Sequence, residues 1–261
     1  MRNLLKTFAL ATALSLSGTA MAQSATSAKP TIILVHGAFA GSSSWNGVIA
    51  ELEGDGYRVI AAANPLRGVA SDGAAVSALV KSVAGPVILV GHSYGGPVIT
   101  AAANGNGNVK ALVYVSAFAP DTGETALGLS GKFPGSTLGD ALAPPVLLSD
   151  GLSDLYIDQV KFPQQFAADV PLDQARLMAA TQRPVTQSAL AEAAGTATWK
   201  SLPTYAIYGS ADRNIPPAVL KFMADRARSR ETVVVDGASH VVMISHPRKV
   251  AMVIEDAAQG K

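Results

Sequence analysis

Pro86-Val87-Ile88-Leu89-Val90-Gly91-His92-Ser93-Tyr94-Gly95-Gly96-Pro97-Val98-Ile99-Thr100-Ala101 decides how this chain folds. The first five residues are apolar without alternation, the pattern of a strand covered on both faces. The last five suit a helix that starts on a proline. Between them Gly91-His92-Ser93-Tyr94-Gly95 fits G-x-S-x-G, a pattern that means little alone and much when a strand precedes it and a helix follows. A serine on so sharp a turn is pushed outward from the sheet edge. Gly91 and Gly95 remove the β-carbons that would clash there, and the helix start adds partial positive charge where an oxyanion would form. A phosphate-binding loop is the competing reading, but neither G-x-G-x-x-G nor a Walker lysine is present.

Similar apolar runs recur on both sides of this stretch. They lie at 30–35, 57–61, 109–115, 203–208 and 231–235, and stretches of helical length fall near 43–53, 71–84, 94–104, 216–228 and 246–258. The alternation predicts an α/β domain, a doubly wound and mainly parallel sheet of about six strands. From Asp121 to about Pro184 the rhythm breaks. No strand is evident there, and helical segments at 153–168 and 172–182 predict a helical cap inserted above the sheet.

The 261 residues suit one such domain spanning 30–261. Charged residues are 15% and apolar ones 49%, so the chain is not of the disordered class. A net charge of +1 without a basic run gives no footprint for nucleic acid. There is no cysteine, which excludes disulfides, thiolate chemistry and cysteine-held metals. Four histidines, His36, His92, His240 and His246, leave little for a metal site, so no metal and no cofactor is expected.

The N-terminus has the layout of a secretory signal peptide. Arg2 and Lys6 open it, Thr7 to Gly18 is mostly apolar, and Ala20-Met21-Ala22 is an A-x-A site. The apolar run is short of the roughly 20 residues that span a bilayer, so no stable membrane anchor is expected. Cleavage after Ala22 would leave a linker at 23–29, take the net charge from +1 to −1 with the loss of Arg2 and Lys6, and place the protein in the periplasm or the medium.

Ser93 needs a base, and the expected chain order is serine, acid, histidine. His36 and His92 precede Ser93. His240 follows the last strand and is preferred to His246, which adjoins Pro247 at a helix start. The acid should end the preceding strand, where Asp212 stands. Asp121 is the runner-up and Asp236 the third choice. The oxyanion hole should combine one N–H after the first strand with one after the nucleophile. Ala38 and Tyr94 fit, with Phe39 the alternative to Ala38 and a candidate substrate contact. His36 reads as scaffold and Trp45 as packing beneath the loop.

These residues together resemble the α/β-hydrolase superfamily. His36-Gly37-Ala38 with Trp45, Gly91 to Gly96, Gly209-Ser210-Ala211-Asp212 and Gly237-Ala238-Ser239-His240 are similar to its short, cofactor-free esterases, the branch that also holds plant methyl-ester esterases and hydroxynitrile lyases. The resemblance implies a Ser93–His240–Asp212 triad and oxyanion donors at Ala38 and Tyr94. Lyases of the branch carry a lysine directly after the histidine, where this chain has Val241. The expected activity is that of an exported serine carboxylesterase on a small-molecule ester. A lactonase, perhydrolase or amidase would use the same triad, and a non-catalytic ligand-binding scaffold is the alternative of another class.

Overall fold

The computed structural model describes residues 29–261, so the expected signal peptide and all but the last residue of the linker lie outside the described residues. Six parallel strands form the main sheet: β1 (Thr31–Val35), β2 (Val59–Ala62), β3 (Val87–His92), β4 (Val109–Val115), and, far along the chain, Thr204–Gly209 and Glu231–Val235. Helices α1 (Asn46–Gly54), α2 (Val69–Ser82) and α3 (Gly95–Ala103) link the first four. Between β4 and Thr204 the chain leaves the sheet through α4 (Ala126–Ser130), α5 (Leu138–Ala141), β5 (Val146–Leu147), β6 (Ser153–Leu155), α6 (Phe162–Phe166), α7 (Leu172–Thr181), β7 (Val185–Thr186) and α8 (Gln187–Ala191). It returns as β8 (Thr204–Gly209), α9 (Pro217–Arg226), β9 (Glu231–Val235), α10 (Val242–Ser245) and α11 (Pro247–Gln259).

The strand order is β2-β1-β3-β4-β8-β9. β1 and β3, adjacent in the sheet, continue to opposite sides of it, β1 towards β2 and β3 towards β4. In parallel sheets a crevice opens beyond the strand ends at such a switch point. Val35 pairs with Gly91 there, so the loop after β1 and the turn after β3 emerge side by side. All residues of β1 and β3 are buried, which explains their unbroken apolar sequences. β9, at the sheet edge, alternates partly covered and exposed positions before the buried Val235.

The cap departs from the sequence reading in its small sheet and in its end, since β7 and α8 carry it past 184 to Ala191. β5, β6 and β7 pair antiparallel into a small sheet, and the segment expected as helix at 153–168 begins as β6 and becomes helical only at Phe162. Strands of two or three residues are too short to show a period, so alternation could not reveal them. α7 lies where a helix is expected.

Truncating the sheet core tests this packing. Leu89 is fully buried in β3, whereas Val234 is half exposed at the sheet edge. Leu89→Ala should lower the unfolding free energy in urea by about 2–5 kcal/mol through lost burial and a residual cavity. Val234→Ala should cost well under that, within about 1 kcal/mol.

Candidate active site

The elbow is built by close approach. A β-carbon on Gly91 would lie 2.6 Å from the Gly95 carbonyl oxygen, and one on Gly37 would lie 2.6 Å from Cβ of Ser93. Only glycine lets β3 turn into α3 this tightly with the β1 loop beside it. Ser93 takes φ +53°, in the left-handed region that side chains rarely adopt. Its backbone is tied on both sides: the N–H donates to Val115 O at 3.2 Å, and the carbonyl accepts from Gly96 N at 3.0 Å and Phe118 N at 3.2 Å.

Asp212 and His240 follow β8 and β9, and the structure brings them together. His240 Nδ1 lies 2.7 Å from Asp212 Oδ2, and both side chains are shielded from water. The other carboxylate oxygen accepts from the N–H groups of Asn214 at 2.8 Å and Ile215 at 3.0 Å. With a carboxylate on Nδ1, that nitrogen carries the proton and Nε2 keeps its lone pair. Ser93, His240, Ala38, Phe39 and Tyr94 all line one cavity of about 330 Å³.

The alternatives sit elsewhere. Asp121 pairs with Lys200 at 2.5 Å near the surface, and that ammonium holds its carboxyl below the usual carboxylate range. Asp236 accepts from Ser210 Oγ at 3.0 Å. His246 meets Ser245 Oγ at 2.9 Å and Asp169 at 3.8 Å, and it does not line the cavity. The Phe39 N–H is occupied by Arg183 O at 3.0 Å. Among the described residues the N–H groups of Ala38 and Tyr94 have no such partner. Trp45 is fully buried, edge-on to the His92 ring at 6.4 Å, as packing beneath the loop requires. Of the cap's apolar residues, Leu155 and Phe166 line the cavity, Phe162 and Phe133 pack against Phe166 and Phe222, and Leu147 is exposed.

Three residues matter that sequence reasoning left aside or missed. His92 Nε2 lies 3.1 Å from the His240 carbonyl and donates to it, which clamps the backbone of His240. Burial holds the His92 pKa well below that of a free imidazole, so this donor stays neutral. His36 accepts at Nε2 from Asn64 N at 3.2 Å and from Arg183 at 3.0 Å, and donates from Nδ1 to Gly37 O at 2.9 Å. Asp72, fully buried in α2, accepts from the Tyr94 hydroxyl at 3.0 Å and from Arg67 N at 3.1 and 3.2 Å. Burial, reinforced by the Asp72 carboxylate, pushes the Tyr94 phenol pKa up and keeps it a donor.

The loop that carries Arg67 also holds the cap. Arg67 reaches Asp154 at 2.5 Å, Thr186 donates its N–H to Leu66 O at 3.1 Å, and its hydroxyl donates to Arg67 O at 3.0 Å. Among the described residues no group of three or more His, Cys, Asp or Glu side chains is placed to hold a metal ion. No described helix is long and apolar enough to cross a membrane.

Residues 32–253 match the model of the alpha/beta hydrolase family. The chain belongs to that family. One relative, a carbendazim hydrolyzing esterase of Nocardioides sp. (strain SG-4G), is 33% identical over 113 residues, covering 38% of this chain and 47% of that protein, about half its length. An alpha-hydroxynitrile lyase of Arabidopsis thaliana is 26% identical over 83% of this chain and 92% of its own. Among solved structures, polyneuridine aldehyde esterase superposes with a TM-score of 0.76 at 19% identity, covering 87% of this chain and 98% of that one. A pyrethroid hydrolase from Sphingobium faniae JZ-2 gives 0.69 at 24% identity, covering 88% and 97%. At these identities the structural likeness speaks for the fold, which agrees with the resemblance drawn from the motifs.

The buried imidazoles set an acid limit on stability. Burial lowers the His36 pKa from 6.5 to about 4. Above pH 6.5 the folded and unfolded chains both hold it neutral. Between 6.5 and 4 only the unfolded chain takes the proton, so stability falls as pH falls. His36→Gln should flatten the decline of urea-unfolding free energy between pH 7 and 4 by about 3 kcal/mol at most. A decline as steep as that of the wild type would remove His36 as its source.

Proposed function

We propose that this member of the family is a serine carboxylesterase that works through an acyl-enzyme on Ser93. The observation that carries the reading is the buried Asp212–His240 hydrogen bond at 2.7 Å, beside a serine held at φ +53° on the wall of the same cavity. Ser93 Oγ attacks the ester carbonyl while its proton passes to His240 Nε2. The imidazolium so formed is stabilised by the Asp212 carboxylate, which also fixes the tautomer. The oxyanion is received by the N–H groups of Ala38 and Tyr94. Collapse of the intermediate expels the alcohol, protonated by His240. Water, deprotonated by His240, then attacks the acyl group and restores Ser93.

The cavity lining supports an uncharged, largely apolar ester. Phe118, Leu138, Leu142, Leu190 and Ile215 contribute to it, and among the described residues no Asp, Glu, Lys or Arg does. A charged substrate would be desolvated there without a partner. The esterases among the relatives favour the same reaction class. A lyase reading, prompted by the Arabidopsis relative, has less behind it: Val241, directly after His240, is fully buried and carries no ionisable group.

Turnover of p-nitrophenyl esters tests the mechanism. Ser93→Ala and His240→Ala should each lower kcat by about 10³-fold or more, and the double variant should be little worse than either, since the two act as a unit. Asp212→Asn should cost about 10²–10⁴-fold, while Asp121→Asn should leave kcat near wild type. A serine-directed fluorophosphonate should label Ser93 stoichiometrically. Near-wild-type turnover by Ser93→Ala would discard the mechanism.

Export belongs to the same proposal and rests on the composition of Met1–Ala22. Intact-mass measurement on protein recovered from periplasm or culture medium should give an N-terminus at Gln23. Recovery there of a chain that retains Met1–Ala22 would contradict it.

A further inference from the structure

Phe39 has no chemical task in the mechanism above, yet its placement is costly. It takes φ +60°, a region where strained residues cluster at ligand-handling sites. Its N–H is pinned to Arg183 O at 3.0 Å, and its side chain is only 4% exposed. The ring meets Phe166 edge-on at 6.2 Å, and Phe166 in turn meets the His240 ring at 5.1 Å.

Two hollows adjoin this residue. One is the cavity of about 330 Å³ that Ser93 and His240 line. The other is a groove of about 520 Å³ between the loop that starts at Ala40 and helix α7, lined by Gly41, Ser43, Leu177, Met178 and Arg183 among others. Among the described residues Phe39 is the one that lines both. The bond to Arg183 ties the Phe39 backbone to another residue that lines the groove.

We propose that Phe39 is the partition that sets the length of ester this protein accepts, by closing the catalytic cavity off from the groove beyond it. The proposal rests on Ser93 being the nucleophile. The inner cavity accommodates the short apolar part of the substrate. A longer chain is stopped at the aromatic ring. With the ring removed, the cavity runs on into the groove, whose side chains Leu177 and Met178 can cover an alkyl chain, at a gain expected from hydrophobic pockets of about tenfold or more per few methylenes.

The test measures kcat/KM for two ester series, p-nitrophenyl esters of increasing acyl length and butyrate esters of increasing alcohol length. In at least one series, Phe39→Ala should raise the long-to-short ratio by about tenfold or more over wild type. Phe39→Leu, which keeps a buried aliphatic side chain, should give a smaller rise and covers the case in which the alanine variant fails to fold. Leu177→Trp added to Phe39→Ala should bring the ratio back down, because the bulk lies in the groove. Ratios within about twofold of wild type in both series, for whichever Phe39 variant folds, would overturn the partition. A short-chain fluorophosphonate serves as control: full labelling of wild type and variants leaves the length ratios as the sole readout, whereas failure to label Ser93 in wild type would strike the serine reading itself.

Discussion

The turn from β3 into α3 is the constraint on which the rest depends. A non-glycine residue at φ +53° costs on the order of 1–3 kcal/mol and persists only where its surroundings leave no alternative. Here those surroundings are three backbone hydrogen bonds to Ser93, contributed by Val115, Gly96 and Phe118, and a glycine packed against its β-carbon from the loop after β1. Gly96 belongs to α3 itself, whereas Val115, Phe118 and Gly37 sit where they do because β1, β3 and β4 are adjacent parallel strands that end together. The strain at one residue is therefore sustained by the register of the sheet.

Imidazole chemistry is divided by burial. His36, His92 and His240 form a chain of neighbours, with the rings of His92 and His240 4.8 Å apart. Were all three free to protonate, each charge would oppose the next. Desolvation holds His36 and His92 neutral; His36 uses both nitrogens on backbone groups and a fixed donor, and His92 donates from Nε2 to the His240 carbonyl. His240 alone has a buried carboxylate on one nitrogen and a cavity before the other. Positive charge generated during turnover would thus have a single residence.

Much of this was legible in the sequence for identifiable reasons. Strands buried on both faces announce themselves as apolar runs, and an elbow needs glycines at fixed offsets, so the sheet and Ser93 could be located. Asp212 could be preferred to Asp121 because an acid must end the strand before the histidine, and the two lie at distinct strand ends. What escaped depends on contacts between distant positions. His92 reaches a carbonyl 148 residues away, and Asp72 meets Tyr94 across 22 residues between two helical segments. Neither leaves a local pattern. The cap's strands, two or three residues long, are specified by pairing partners and not by alternation.

The short loop Asn64–Arg67 makes the cap and the elbow depend on each other. It grips the cap through Asp154, Leu66–Thr186 and Arg67–Thr186 contacts, and through Asp72 it reaches Tyr94, the residue after Ser93. The β6–β7 edge of the cap and the turn after Ser93 are thereby held to one another through a single buried carboxylate, Asp72. Leu127, on α4, lines the cavity and is 58% exposed to water, so the cavity borders solvent beside it.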